Sequence, residues 1–241
     1  MRAIAINVGA NTNEPGFRGP VFPDGRFEYV PIPESKPTTG SVPTYGDLAT
    51  HLSVEIPDSV RERAVHLDPE FAEYPQCERY TYGDPHGVKA RPVSELGAGD
   101  YLLFYATLSM DGEPADWQPP DWGAYLVGHF RLARDALTGE EYEGLSADER
   151  AAFANNAHVK RDPFDARVLV HGDPDGSRLY DRAVPLSTPE AGVDANRLVT
   201  DLSADSGKGP WWRRPLRYDE AATAELLDVV ERRSFEASLD G

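Results

Sequence analysis

The chain has 241 residues, enough for a single large domain or two compact halves with an ample core. Its 41 acidic and 24 basic residues give a formal charge of −17, and only four of the basic residues are lysines. A surface of that sign repels nucleic acid and anionic membranes at low salt. The single cysteine, Cys77, excludes an internal disulfide and every multi-cysteine zinc site, and no apolar run approaches the ~20 residues of a membrane span.

Acid excess with scarce lysine is similar to proteins that work in molar salt, a haloarchaeal type of surface. At ~1 M salt the Debye length is about 3 Å, so the repulsion is mostly screened. Counterion release, the usual driving force of protein–DNA binding, shrinks with it. A nucleotide ligand is therefore compatible with the charge, provided it is recognised by stacking and hydrogen bonds.

Ile4 and Ile6 alternate with small residues as in a strand, which Asn7-Val8-Gly9-Ala10-Asn11 breaks. The opening residues are too short for a signal peptide, and a cytoplasmic location is expected. Residues 12–44 are loop-rich, with Asp24-Gly25 as a hairpin-type turn before an expected strand at 27–32. Short helices are expected at 45–52 and 57–64, and short strands at 65–67 and 78–82. Gly99-Asp100 launches an apolar strand over 101–108, and a longer apolar run follows over 122–132. Ser146-Ala147-Asp148-Glu149 matches a capping box for a helix to about Asn155. Residues 167–171 read as a strand, Asp173-Pro174-Asp175-Gly176 as a turn, and Asp219 as the cap of a last helix with Ala222, Leu226, Val229 and Val230 on one face. Many short strands, few helices and dense Pro/Gly turns argue for an α+β protein around a curled or barrel-like mixed sheet, with a C-terminal helix.

Several chemistries are absent from the pattern. Gly207-Lys208 lacks the upstream glycine and following hydroxyl residue of a P-loop. There is no dinucleotide glycine fingerprint, nucleophile elbow or zinc-deaminase signature.

Polar residues concentrate instead in His66-Leu67-Asp68-Pro69-Glu70-Phe71 and Tyr80-Thr81-Tyr82-Gly83-Asp84-Pro85, which form neither an amphipathic helix nor an alternating strand. Loops of that composition tend to carry function. His66 with Asp68, Glu70 or Asp84 would make a general acid/base set. His66-x-Asp68 also has the spacing of the iron facial triad, with His129, His158 or His171 as a distal third ligand. Three-letter patterns arise by chance, so the simpler expectation is that Asp68 caps the Pro69-Glu70 turn and His66 packs locally, with no metal site assigned.

For a base or phosphate, Arg18, Asp24 and Arg26 surround a Pro/Gly loop, although an ordinary hairpin with solvated charges accounts for them equally well. Tyr80, Tyr82 and Tyr105 offer stacking faces, each stack being worth about 1–3 kcal/mol, but strand tyrosines are commonly half-buried packing residues. Asn156, His158 and Arg161 place amide, imidazole and cation together after a helix, equipment for reading a base edge. Trp211-Trp212 beside Lys208, Arg213, Arg214 and Arg217 suggests stacking with phosphate contact, or an aromatic anchor for the last helix, which is preferred.

Taken in order, Gly19-Pro20-Val21-Phe22-Pro23-Asp24-Gly25-Arg26-Phe27, Pro31-Ile32-Pro33-Glu34, Tyr45-Gly46-Asp47, the two blocks of residues 66–71 and 80–85, Gly99-Asp100-Tyr101-Leu102-Leu103-Phe104-Tyr105 and Asn156-Ala157-His158 resemble the nucleotide modification associated domain three family of DNA base hypermodification proteins. The resemblance covers about residues 1–190, and the tail after Leu198 has no counterpart in it. It implies a single domain over about residues 1–200, with residues 201–241 packed on it as a basic, Trp-bearing segment and helix. A weaker likeness is to PUA-like barrels that bind modified bases, through Gly99-Asp100, Phe104-Tyr105 and Tyr125 to Phe130.

The expected function is nucleic-acid base modification, with a nucleotide or extruded base held by the loop of residues 18–26, the block of residues 66–85 and the turn of residues 156–161. The alternatives are a non-catalytic reader of modified bases, an iron-dependent oxygenase using His66 and Asp68, and a partner-binding protein with its tryptophan pair as interface. Nothing identifies a cofactor. A nucleotide or nucleic acid is the expected partner, a membrane is not, and partner enzymes of the same pathway are compatible.

Overall fold

Branched apolar residues alternating with alanine make β1, Ala3–Asn7, and the computed structural model, which describes residues 1–204 and 208–232, continues from it through short elements. In chain order these are β2 (Pro20–Val21), α1 (Tyr45–Leu48), β3 (Thr81–Asp84), α2 (Gly87–Val93), β4 (Tyr101–Met110), β5 (Trp122–Arg131) and β6 (Leu137–Thr138). They are followed by α3 (Gly139–Glu143), α4 (Ala147–Arg150), β7 (Val168–His171), β8 (Arg178–Pro185), α5 (Arg197–Thr200), β9 (Leu216–Tyr218) and α6 (Glu220–Arg232). No helix among the described residues is long and apolar enough to cross a membrane.

The strands form two sheets. One has the order β8-β5-β4-β1-β9, with β2 beside β4; the other has the order β3-β7-β6. The α+β character, the short helices and the C-terminal helix match expectation. No closed barrel forms among the described residues, because the strands divide between two sheets and neither closes. Hydrophobic pattern marks a strand but does not name its partner, which is why the split was not legible.

The chain divides into two compact units. The first comprises Met1–Val30, Leu103–Gly128 and Tyr180–Gly241; the second comprises Pro31–Leu102 and His129–Leu179. In the first, β1 pairs antiparallel with β9, Ala3 opposite Tyr218 and Ala5 opposite Leu216, and Ala3, Ile4, Ala5 and Ile6 are buried. Asp219 Oδ1 accepts from Ala222 N at 2.9 Å, opening α6, whose Ala222, Leu226, Val229 and Val230 are buried as their spacing predicts. Trp211 Nε1 donates to Val193 O at 2.7 Å and Trp212 meets Trp122 edge-on at 5.4 Å, which gives the tryptophan pair an anchoring geometry. Gly207, the first residue of the basic cluster, lies outside the described residues.

In the second unit β7 lies between β3 and β6, antiparallel to both, with Tyr82 opposite Val170 and Leu137 opposite Leu169. Leu137, Tyr142, Phe153, Ala166 and Leu169 form a buried cluster beneath it. Capping boxes open α1 at Thr44/Asp47, α3 at Thr138/Glu141 and α4 at Ser146/Glu149. Phe71 is fully buried and meets Phe130 edge-on at 5.3 Å, fixing the loop that carries His66, Asp68 and Glu70. Truncating a ring packed in this way costs about 3–5 kcal/mol.

Several expected elements are reduced. Residues 27–32 contribute a single bridge, Phe27 to Val21, and residues 65–67 another, Val65 to Pro33, because prolines on either side interrupt both ladders. The helix expected at 57–64 is one turn of 3₁₀ helix at Asp58–Val60, and α4 gives way to another at Ala151–Phe153.

Candidate functional site

Three segments of the second unit carry a buried polar cluster. Residues 31–34 run beside residues 64–66, Glu34 N donating to Ala64 O at 2.9 Å and His66 N to Ile32 O at 2.8 Å. Glu70 exchanges both backbone hydrogen bonds with Thr81, at 2.9 and 3.2 Å, which sets Asp68 beside β3. The third segment follows the 3₁₀ turn, where Asn156 Oδ1 accepts from His158 N at 3.0 Å and fixes that residue's backbone. His158 packs so closely on Gly83 that a Cβ there would stand 3.0 Å from its Cδ2, so a residue without a side chain occupies this point of β3.

The rings of His66 and His158 meet edge-on, centroids 4.7 Å apart and planes at 86°. Both turn Nε2 toward one atom, Asp68 Oδ2, at 3.9 Å from His66 and 3.6 Å from His158. Behind them, His66 Nδ1 lies 2.6 Å from Glu34 Oε2 and His158 Nδ1 lies 2.8 Å from Asp165 Oδ1. An ionised carboxylate only accepts, so each Nδ1 carries the hydrogen, and Nε2 of a neutral ring keeps its lone pair. The side chains of His66, Asp68, His158 and Glu34 are each 5 % exposed or less.

Burial by itself would raise the Glu34 pKa, but hydrogen bonds from His66 and Arg161 outweigh it and hold the carboxyl at about 2. Asp165 is likewise kept below the usual carboxylate range, its burial outweighed by His158, Lys36 and Arg161. Arg161 ties the two together, with Nε and NH2 on Glu34 Oε1 at 3.0 and 2.8 Å and NH1 on Asp165 Oδ2 at 2.9 Å. Asp68 is pushed well above its ordinary value by burial and by Asp84, despite accepting from Gly83 N and Asn156 Nδ2, each at 3.0 Å. Burial and the neighbouring His66 pull His158 down to about 3. Lys89 is lowered by burial, an effect that Asp84 and Asp68 partly offset. Such opposed shifts within one cluster are the pattern by which acid and base roles are divided.

The expected residues separate into three groups. His66, Asp68, Asn156, His158 and Arg161 come together. Asp68 does not cap the Pro69-Glu70 turn as expected, since its oxygens reach Gly83 and Asn156 while Glu70 N bonds Thr81 O. Arg161 is engaged by two carboxylates rather than presented to a phosphate.

Glu70 and Asp84 lie alongside as braces. Glu70 Oε1 accepts from Glu78 N, Arg79 N and Asn155 Nδ2, and its Oε2 from the Thr81 hydroxyl. Asp84 accepts from the Tyr82 hydroxyl at 2.9 Å and His86 N at 2.6 Å. The stacking wall does not form as expected. Tyr82 is buried with that bond, and Tyr80 is buried with its hydroxyl on Glu73.

The remaining residues belong to the first unit. Tyr105 is fully buried with its hydroxyl on Arg214 O at 2.7 Å. Arg18 lies 4.5 Å over the Trp122 ring, and Arg26 and Asp24 form an exposed pair within their turn, the hairpin arrangement. Of the histidines offered as a distal partner, His158 occupies the cluster. His171 packs on Phe153 and His129 on Tyr101.

Sequence reasoning did not single out Glu34, Asp165 or Lys89 as site residues. A signal was present in the lysines. Of only four in the chain, Lys36 bonds Asp165, Lys160 bonds Asn155 and Lys89 faces Asp84 and Asp68. One donor atom each from His66, Asp68 and His158 lies within 4.8 Å of the others, close enough to share a cation.

A family model described as nucleotide modification associated domain 3 matches residues 2–228, extending through the tail for which the sequence blocks offered no counterpart. No curated protein and no solved structure matches the chain.

Proposed function

The chain belongs to the nucleotide modification associated domain 3 family, and from that premise we propose that it modifies a nucleotide or an extruded nucleic-acid base at the His66–Asp68–His158 cluster. The observation that carries the reading is the convergence of two carboxylate-backed imidazoles on a third, buried carboxylate. Burying several charges costs stability, and a cluster of this kind is the usual setting of a reacting centre. A non-catalytic reader would need stacking and base-edge contacts but no such acid–base assembly. In the proposed reaction the Nε2 atoms of His66 and His158 and the Asp68 carboxylate face the reacting group together. Glu34, Asp165 and Arg161 position the two rings, and Asn156 fixes the Asp68 carboxyl. The molar-salt surface and the cytoplasmic location belong to the same proposal.

The test is a thermal-shift and calorimetric screen of the full chain in molar KCl against nucleotides, modified bases and short single-stranded DNA. Mass analysis of the recovered nucleosides would follow. Binding with a mass change, abolished in Asp68→Asn while binding persists, is the expected result. Binding with no mass change under any condition would favour the reader. No binding at all would favour a protein partner.

A further inference from the structure

We propose that His66 Nε2, Asp68 Oδ2 and His158 Nε2 hold one divalent first-row transition-metal ion. The proposal rests on the preceding reading only for the ligand that fills the rest of the coordination sphere.

The first argument is the direction of the lone pairs. With both Nδ1 hydrogens committed to Glu34 and Asp165, neutral rings bring two bare nitrogens to face one carboxylate oxygen. The separations of 3.6 and 3.9 Å are beyond a hydrogen bond. With Asp68 ionised, as a metal ligand must be, these acceptors repel one another, strongly so in a buried setting. A cation at their centre reverses the sign of that interaction.

Spacing gives the second argument. Two ligands each about 2.1 Å from an ion stand no more than ~4.2 Å apart, and both nitrogen–oxygen distances fall inside that reach.

The outer partners give the third. Each imidazole is backed at Nδ1 by a carboxylate, and Asp68 Oδ1 is held by Gly83 N and Asn156 Nδ2. Metal ligands are characteristically oriented in this way from behind, which fixes the tautomer and the direction of the free lone pair.

The donor set also selects the ion. Two imidazoles and a carboxylate suit iron(II), zinc or cobalt, whereas calcium and magnesium take oxygen ligands. Three protein donors leave at least one position of a four-coordinate ion, and more of a six-coordinate one, to water or to an oxygen or nitrogen atom of the nucleotide. An ion so placed supplies Lewis-acid polarisation of whatever occupies that position.

The full chain, stripped with chelator and desalted, is titrated separately with Co²⁺, Zn²⁺ and, under anaerobic conditions, Fe²⁺ in molar KCl. The readouts are calorimetry and the visible absorption of the cobalt form. The expected result is one ion per chain with a cobalt ligand-field band. Asp68→Asn and His158→Gln should each weaken binding by more than about 100-fold, and Glu34→Gln, which acts through His66, by about 10–100-fold. His171→Gln should leave binding unchanged. Urea midpoints of each variant confirm that it is folded. Absence of a bound ion, or binding that survives both Asp68→Asn and His158→Gln, overturns the proposal. Nucleotide binding is measured separately on the stripped protein. If nucleotide binds but no ion does, the ion proposal falls and the nucleotide reading stands; if the ion binds and no nucleotide does, the reverse holds.

Discussion

Asp68 and Glu70 stand two residues apart in one loop, both buried, yet their surroundings differ in kind. Glu70 meets only hydrogen donors: two backbone N–H groups, an amide and a hydroxyl. Asp68 has donors on Oδ1, and Gly83 N also reaches its Oδ2 at 3.2 Å, but that oxygen faces two imidazole nitrogens at distances too long for hydrogen bonds. The first carboxylate is satisfied and ties residues 78–81 and Asn155 together. The second shares one backbone donor between its two oxygens and turns the rest of its accepting capacity toward two imidazoles. Burial therefore does not separate structure from function here. What lies opposite the last lone pair does.

The largest change should come from Arg161→Met, which leaves Glu34 and Asp165 without their shared cation. Breaking a buried pair in this way costs about 3–5 kcal/mol, read as a lowered urea midpoint. A loss under ~1 kcal/mol would mean that the support behind the imidazoles does not depend on Arg161. Glu70→Ala should follow at about 3 kcal/mol, since several donors lose their acceptor together.

A pH series tests the imidazoles of the cluster against one buried outside it. His129, buried elsewhere in the second unit, is held down to about 4 by burial and by Arg178. Between that value and its ordinary 6.5 the unfolded chain holds a proton that the folded chain does not. Stability should therefore rise with pH across the window and be lost as pH falls through it, by about 3 kcal/mol. His129→Gln should make that section shallower without flattening it, because His158, held down to about 3, contributes over the same range, and an unchanged slope would assign it to other groups.

The smallest effect on stability, and the one that sharpens the contrast most, is expected from Asp68→Asn. Its amide would keep the Gly83 contact and direct hydrogens at the two Nε2 atoms, so stability should stay within about 1 kcal/mol of the parent or rise, while activity disappears. A loss comparable to Glu70→Ala would make Asp68 a brace like its neighbour.

Much of the local structure was legible in the sequence. The apolar runs of β4 and β5, the Ser146–Glu149 capping box and the Asp219 cap with its buried helix face are hydrogen-bond and burial patterns written within a few residues. β8 was not legible, because Arg178, Asp181 and Arg182 interrupt its apolar positions, nor was α2, which contains Pro92. In the site, His66 with Asp68 stood out by proximity in sequence. The choice of His158 over His129 and His171 did not, since all three follow or occupy apolar segments with equal claim.

By itself, then, the sequence determined the family, the acidic surface, the principal strands and the local caps, all of which depend on residue type and short spacing. Only the tertiary structure decided that Glu34, Asp68 and His158 are buried together with Asp165 at their edge, that Arg161 serves carboxylates rather than a phosphate, and that Tyr82 and Tyr105 are enclosed. The physical reason is that charge interactions and desolvation depend on distances between segments a hundred residues apart in sequence, and those distances exist only once the segments have packed.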